Sequence, residues 1–195
     1  MGQYYRGAIL NEDFNTNGVE VCKSFNPYSH DNGAKLMEHS YVTNYYVKEY
    51  ENALANDFYG MPFVWVGDYA DEFNDVSIYD KACKFDDEDE KIEYNELPTY
   101  KYIINFDKHV FVKIPNIKKG EFIIHPLPLL CADGNGRGGG DYDGTNMELI
   151  GAWAFDRIGV SNELPNDITK ELIVTFKECY DGGDNSVNDY TYSNF

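Results

Sequence analysis

The 195-residue sequence has few cationic side chains. It contains 16 lysines and arginines against 34 aspartates and glutamates, so its formal net charge is −18, and the only arginines are Arg6, Arg137 and Arg157. DNA phosphates and anionic lipids are bound by clustered lysine and arginine, so this balance opposes direct binding to nucleic acid or to an anionic membrane. A partner recognised through charge should therefore be basic.

Long apolar runs and cysteine clusters are missing as well. No segment approaches the roughly 20 apolar residues of a membrane span, and no secretory leader is apparent at the N-terminus. The cysteines, Cys22, Cys83, Cys131 and Cys179, are far apart and form neither a CxxC pair nor a zinc spacing. We expect a cytosolic protein with reduced thiols and no metal centre.

Recognisable catalytic motifs are also lacking. The sequence has no P-loop, no HExxH and no serine or cysteine nucleophile motif. We therefore expect no cofactor, and a binding protein rather than an enzyme.

What is present is a globular composition, with 43% hydrophobic and 16% aromatic residues. Two apolar runs, residues 3–10 and 19–25, are separated by turn residues and predict an opening hairpin. Residues 34–56 carry the strongest helical periodicity, which Thr43 and Asn44 could divide into two helices. Residues 62–66 predict a central buried strand.

Further short elements follow along the chain. Strands are predicted at residues 100–105, 109–114, 121–125, 148–155, 157–160 and 170–176, with an extended run at 126–130. Because strands and helices do not alternate, the pattern predicts one α+β domain over residues 1–180, built on a mainly antiparallel sheet. Residues 73–98 are expected to be an acidic excursion, exposed and mobile across 86–96, and residues 181–195 a mobile acidic tail.

The segment Cys131–Gly144 contains six glycines and is the strongest candidate site. Asp133, Asn135 and Gly138 imitate the first half of a calcium loop, but Arg137 occupies a ligand position and Gly144 stands where a bidentate glutamate is needed. A GxGxxG match at Gly134, Gly136 and Gly139 lacks the strand and helix of a dinucleotide fold.

A looser interpretation is an anion-binding nest of backbone amides. Arg137 would then bind a phosphate or carboxylate, although a salt bridge from Arg137 to Asp141 or from Arg157 to Asp156 is the favoured explanation of these arginines. The candidate ligand-binding residues are Asp133, Asn135, Gly136, Arg137, Gly138, Asp141 and Arg157.

Four secondary candidates lie elsewhere in the chain: Asp68, Asp71, His125 and Trp153. Asp68 and Asp71 follow the predicted central strand, and His125 ends another predicted strand. If these strand ends meet, His125 and one aspartate would form an acid–base pair of the kind a hydrolase uses.

Several motifs resemble those of a family of bacterial and bacteriophage proteins. They are the opening Met1-Gly2-Gln3-Tyr4-Tyr5, Gly67 to Asp71, Ala132 to Asp141, and Trp153-Ala154 followed by Asp156-Arg157-Ile158. The resemblance implies a phage or mobile-element setting, and the family offers no activity to transfer.

These observations together favour a small acidic protein, encoded by a phage, that acts on a basic host protein as an inhibitor or nucleic-acid mimic. The alternative is a binder of a nucleotide, phosphate or other small anion through the glycine-rich loop. A third hypothesis is that the protein is a hydrolase without a recognised motif.

Overall fold

The computed structural model describes residues 3–30, 32–85, 98–116, 122–135 and 140–178. The strands in these ranges are β1 (Tyr5–Leu10), β2 (Val21–Lys23), β3 (Met61–Gly67), β4 (Tyr102–Asn105), β5 (Val110–Lys113), β6 (Ala132–Asp133), β7 (Arg157–Ser161) and β8 (Lys170–Glu171). The α-helices are α1 (Phe14–Asn17), α2 (Leu36–His39), α3 (Tyr45–Ala55), α4 (Ile78–Cys83) and α5 (Pro126–Leu130).

The strands form one mixed sheet with the order β2-β1-β3-β7-β4-β5-β8, and β6 pairs with β3 outside this path. Pairing is antiparallel except between β3 and β6 and between β5 and β8. This arrangement confirms the predicted α+β class and the mainly antiparallel sheet. Within the described ranges, no helix has the length and apolarity that a bilayer span demands.

Strand β3 lies at the centre of the sheet, as the sequence predicts. Its residues Phe63 to Trp65 are completely buried, and it pairs with β1, β6 and β7. The predicted hairpins β1–β2 and β4–β5 are also confirmed. Each strand is a short apolar run bounded by turn residues, which is the pattern that identified it.

The helical segment divides where the sequence indicates. Asn44 lies between α2 and α3, and its side chain accepts a hydrogen bond from the backbone N–H of Tyr46 at 3.0 Å. Asparagine is a preferred N-cap because it satisfies a backbone donor that has no partner within the helix. Asn44 therefore starts α3 as a new helix.

Alternate residues of β1 face opposite sides of the sheet. Tyr5 and Ile9 join the larger core, which includes residues of α2, α3 and α5 packed around Trp65. Ala8 and Leu10 join a smaller core with Phe14 and with the apolar face of α4. The sheet is therefore covered by helices on both sides.

Residues 126–130 are helical, so the predicted extended run is wrong. Pro126 and Pro128 lie in the first turn of α5, where a proline ring costs little because the missing N–H would have no helical partner. His125 caps the helix by accepting from the N–H of Leu127 at 3.1 Å. The predicted strand 121–125 is reduced to an isolated bridge between Ile124 and Tyr41.

Residues 148–155 do not form the predicted strand. They belong to a 3-10 turn, Met147–Leu149, and the turns that follow it. Gly151 and Phe155 have φ angles of 71° and 69°, and this left-handed backbone is incompatible with a strand. Strand β8 covers only two of the seven predicted residues, 170–176.

Helix α4 was missed within the predicted excursion 73–98. Ser77 caps it by accepting from the N–H of Asp80 at 3.1 Å, and Ile78 and Ala82 are buried. Two apolar residues four apart are too short a pattern to identify a helix from sequence. The predictions for residues 86–96 and for the tail 181–195 lie outside the described residues.

Candidate functional site

Three strands bring polar residues to one end of the sheet. Strands β3 and β6 run parallel, with Val66 opposite Asp133, so the ends of both strands lie together. Strand β1 runs antiparallel to β3 and starts at the same end, with Tyr5 opposite Gly67. The residues that follow β3 and those that lead into the glycine-rich loop are therefore neighbours.

Gln3 and Tyr5 anchor the beginning of the glycine-rich loop. The Tyr5 hydroxyl donates to Gln3 Oε1 at 2.7 Å, and the backbone N–H of Asn135 donates to the same oxygen at 3.3 Å. A Cβ atom added at Gly134 would lie 2.5 Å from the Tyr5 hydroxyl oxygen, far inside van der Waals contact. Glycine at this position is therefore required by close packing, independently of any ligand.

The far side of the loop is anchored in a similar way. The Tyr5 hydroxyl accepts a hydrogen bond from the backbone of Gly140, whose φ is 57°. Asp141 Oδ1 accepts from the N–H of Met37 at 3.1 Å, in the first turn of α2. Gly134, Asn135, Gly140 and Asp141 thus form a base fixed to the sheet and to α2. Gly136, Arg137 and Gly138 lie outside the described residues, so the predictions made for them remain predictions.

Four carboxylates surround this base, and we refer to Asp68, Asp71, Asp133 and Asp141 as the carboxylate cluster. Burial, reinforced by the negative charges of Asp141, Asp133 and Asp68, raises the pKa of the Tyr5 hydroxyl well above its ordinary value. Burial and the charge of Asp71 likewise raise the pKa of Asp133. Asp71 and Asp133 therefore repel each other, and the charges of the cluster also disfavour ionisation of Tyr5.

The described salt bridges lie away from the carboxylate cluster. Within the part of the chain that the structure covers, none of the salt bridges includes a member of the carboxylate cluster. The same residues contain no group of three or more histidine, cysteine or acidic side chains arranged to hold a metal ion. Among the described residues, the cluster is therefore a group of carboxylates without a salt bridge.

Two tyrosines border the cluster. Tyr4 and Asp68 form a backbone pair, in which the N–H of Asp68 donates to the carbonyl of Tyr4 at 2.9 Å. The N–H of Tyr4 in turn donates to Asp68 Oδ1 at 3.0 Å. Tyr4 and Tyr69 keep 45% and 50% of their side-chain surface exposed, so aromatic and acidic groups are presented together.

Arg157 does not belong to this site. It lies opposite Pro62, four residues from Val66 along β3, which corresponds to about 13 Å. Its Nε donates to Asp107 Oδ1 at 2.8 Å, and its backbone N–H donates to Asp107 Oδ2 at 2.7 Å. The expected salt bridge to Asp156 is therefore also wrong, because Asp107 is the partner.

His125 does not pair with Asp68 or Asp71. Its Nε2 lies 2.7 Å from Glu51 Oε1, and its Nδ1 accepts from the N–H of Leu127. Both ring nitrogens are engaged and the side chain is completely buried, so an acid–base pair with either aspartate does not form. Trp153 is only 1% exposed and packs in the larger core. It is therefore a core residue and not the site residue that the sequence predicted.

Sequence reasoning identified Asp68, Asp71, Asp133, Asn135 and Asp141, which the structure brings to one end of the sheet. It did not identify Gln3 and Tyr5 as the residues that hold the loop. Gln3 lies two residues before Tyr5, the first residue of β1, and a glutamine and a tyrosine at this spacing are equally typical of the approach to a core strand. Nothing in the local sequence shows that this face meets residues more than 120 positions away.

The fold and the site thus define an α+β protein with an acidic, tyrosine-bordered face at one end of its central strands. Scans of family models, of curated proteins and of solved structures find no match for this chain.

Proposed function

We propose that this protein is an acidic binding protein that docks a basic surface of another protein onto the carboxylate cluster. The observation that carries the proposal is the convergence of Asp68, Asp71, Asp133 and Asp141 with no cation paired to them among the described residues. Asp107, Asp156 and Glu171 form salt bridges elsewhere in the chain, so the lack of a salt bridge at this face among the described residues fits a cation supplied by a partner.

The carboxylate cluster would stabilise a bound cation electrostatically. The pKa of Asp133 is raised because burial and Asp71 both disfavour its charged form. A lysine or arginine placed beside this pair replaces repulsion with attraction, and charge-assisted hydrogen bonds are worth about 1.5 to 3 kcal/mol. The long-range field of a protein with a net charge of −18 also accelerates the approach of a basic partner.

Tyr4 and Tyr69 supply the apolar part of this interface. Tyrosine is enriched among the residues that dominate binding energy, because its ring buries a large area with little loss of conformational entropy. The ring faces also attract lysine and arginine through cation–π interactions. A basic segment therefore meets both charge and aromatic surface at this end of the sheet.

The partner class follows from the charge and from the family resemblance. A phage or mobile-element protein acts on host proteins, and a host protein that binds nucleic acid offers the clustered lysines and arginines that match this face. We propose that the carboxylate cluster occupies such a groove in the manner of nucleic-acid phosphates.

The anion-binding alternative receives less support from the described residues. The backbone amides of Asn135 and Gly140 bond to Gln3 and Tyr5, so they do not form a nest for a ligand. The surrounding carboxylates repel an anion. The alternative now depends on residues 136–139, and Arg137→Ala tests it: anion binding by this route predicts a loss of about tenfold or more in affinity for a phosphate ligand.

A pair of charge-matched variants tests the main proposal. Asp71→Asn/Asp133→Asn removes two charges from the cluster, whereas Glu163→Gln/Asp167→Asn removes two charges from the exposed segment after β7. Each variant is titrated with an arginine-rich peptide at low and at physiological salt, and each is used to co-purify proteins from a bacterial host.

The cluster variant should lose about tenfold or more in peptide affinity, and it should lose the basic host proteins retained by the unmodified chain. The control should change affinity far less. Equal losses of affinity in the two variants would show that net charge alone governs binding. That result would contradict the assignment of the binding face to the carboxylate cluster. Unchanged affinity in both would remove the proposed function.

A further inference from the structure

The Asn17–Gly18 dipeptide lies in the connection between β1 and β2, away from the carboxylate cluster. Asn17 is the last residue of the four-residue helix α1, and both Asn17 and Gly18 are exposed. Glycine after asparagine leaves the following backbone nitrogen unshielded by a side chain. A Cβ added at Gly18 would meet no atom within 4 Å beyond the residue itself and its two chain neighbours, so no other part of the chain packs against this side of the glycine.

We propose that Asn17 is a site of spontaneous deamidation, held back by its hydrogen bond to Asp13. In the reaction, the deprotonated backbone nitrogen of Gly18 attacks Asn17 Cγ and forms a new C–N bond. The bond from Cγ to Nδ2 breaks, and Nδ2 leaves as ammonia after taking up a proton. Solvent water then opens the resulting succinimide and yields aspartate or isoaspartate at position 17.

Asp13 is the residue that restrains this reaction. Its carboxylate accepts from Asn17 Nδ2 and from Asn11 Nδ2, the latter at 2.7 Å. The hydrogen bond from Asn17 is also the largest cause of the lowered pKa of Asp13, so the contact favours the ionised carboxylate. While the bond persists, the Asn17 side chain points back along α1, and Cγ is kept away from the nitrogen of Gly18.

The restraint is weak because its surroundings are exposed. Helix α1 has a single turn, Asp13 makes no capping hydrogen bond to it, and Asp13 itself is fully accessible to solvent. Opening of α1 releases the side chain and allows the attack. Once water has opened the ring, position 17 carries a carboxylate facing Asp13, so the original hydrogen bond is replaced by repulsion and α1 cannot close again in the same form.

The chain contains a matched comparison at Asn32–Gly33. Asn32 Nδ2 donates to the carbonyl of His30 at 3.1 Å, and Asn44 Nδ2 donates to Asn32 Oδ1 at 2.7 Å. The carbonyl of Gly33 is bonded to His39, and Glu38 packs against the glycine. This asparagine is half-buried and held at both ends of its amide, so it should resist the reaction that Asn17 undergoes.

Incubation of the full chain in ¹⁸O-labelled water at mildly alkaline pH, followed by peptide mass spectrometry, tests the proposal. The peptide containing Asn17 should incorporate heavy oxygen well before the peptide containing Asn32, and ammonia release should follow the same time course. A sample unfolded in denaturant shows how fast each site reacts without the fold. Conversion at Asn32 first, or an unmodified Asn17 after the unfolded sample has reacted, would overturn the proposal.

Two variants isolate the role of Asp13. Asp13→Asn removes the carboxylate and should accelerate conversion at Asn17 several-fold, whereas Asn17→Gln keeps an amide and should abolish conversion at this position. Circular dichroism on both variants confirms that the sheet is intact. An unchanged or slower rate in Asp13→Asn, with the sheet intact, would contradict the assigned restraint.

Discussion

The two ends of β3 differ in whether their carboxylates form salt bridges. At the end near Met61, Asp107 is bonded to Arg157, and Asp156 accepts hydrogen bonds from Lys108 and Asn105. At the end near Gly67, no salt bridge among the described residues includes a member of the carboxylate cluster, although Arg6 lies opposite Val66 there. The end without a described salt bridge is the one that we propose binds another molecule.

The pKa values express the same contrast. Although burial acts to raise the pKa of Asp107, hydrogen bonds from Arg157 and its positive charge lower it overall. For Asp133, burial and the charge of Asp71 act together and raise the pKa. The surroundings of Asp107 therefore favour its ionised form, and those of Asp133 disfavour it.

The largest expected effect on stability concerns the buried middle of β3, which lies between the two charged ends. Trp65 Nε1 donates to His39 Nε2 at 2.9 Å, and burial lowers the pKa of His39 to about 4. The unfolded chain binds a proton near pH 6.5, so stability falls as pH decreases from about 6.5 to about 4. This residue should account for a loss of ~3 kcal/mol in the free energy of unfolding.

Denaturant unfolding as a function of pH measures this loss. His39→Gln retains an acceptor for Trp65 but does not titrate, so the variant should lose most of the slope between these pH values. If the slope remains in the variant, other groups are responsible and His39 is not the buried neutral base described here.

The next effect concerns the base of the glycine-rich loop at the end near Gly67. Gly134→Ala places a Cβ 2.5 Å from the Tyr5 hydroxyl and 2.7 Å from Gln3 Oε1, so it should cost about 1 to 3 kcal/mol of stability. Gln3→Ala removes one of the two obstructing side chains. The double variant should therefore lose less than the sum of the single losses, and simple additivity would show that the two residues do not meet.

A smaller effect compares the two ends directly. Asp133→Asn removes a disfavoured charge, so stability at neutral pH should stay equal or rise by up to ~1 kcal/mol. Asp107→Asn breaks a solvent-exposed ion pair and should lower stability by ~1 kcal/mol or less. Thermal unfolding of both variants measures the difference in sign. A change in stability of the same sign in both variants would contradict the proposed difference between the two ends of β3.

The smallest expected effect is the response to calcium. Asp133, Asn135 and Gly138 match only half of a calcium loop, so millimolar calcium should leave the Tm almost unchanged. A rise in Tm of the unmodified chain that disappears in Asp133→Ala would instead establish a cation site at this end of the sheet.

Much of the β-structure could be predicted because its signals are local. The strands β1, β3, β4, β5 and β7 are short apolar runs bounded by turn residues, and Asn44 marks the start of α3 in the sequence itself. The errors occurred where a local signal has two meanings. Prolines 126 and 128 are compatible with extended chain and with the first turn of a helix, and burial of Leu127 to Leu130 favoured the helix.

The sequence predicted which acidic residues belong to the site, but it did not predict which of the candidate residues lie together in space. Asp68, Asp71, Asp133 and Asp141 were singled out separately, whereas His125, Trp153 and Arg157 were grouped with them and lie elsewhere. Distance along the sequence carries no information on which strand ends share an edge. That depends on β1 and β6 pairing with the same half of β3.

The sequence by itself determined the charge of the protein, the acidic character of any binding face and the positions of most strands. These properties depend on composition and on neighbouring residues. Only the tertiary structure decided which carboxylates lie together and which have counter-ions, and that Gln3 and Tyr5 hold the loop base. Such contacts join distant parts of the sequence, as in the pairs Tyr4–Asp68 and Gln3–Asn135, and their energies depend on burial that exists only once the sheet has formed.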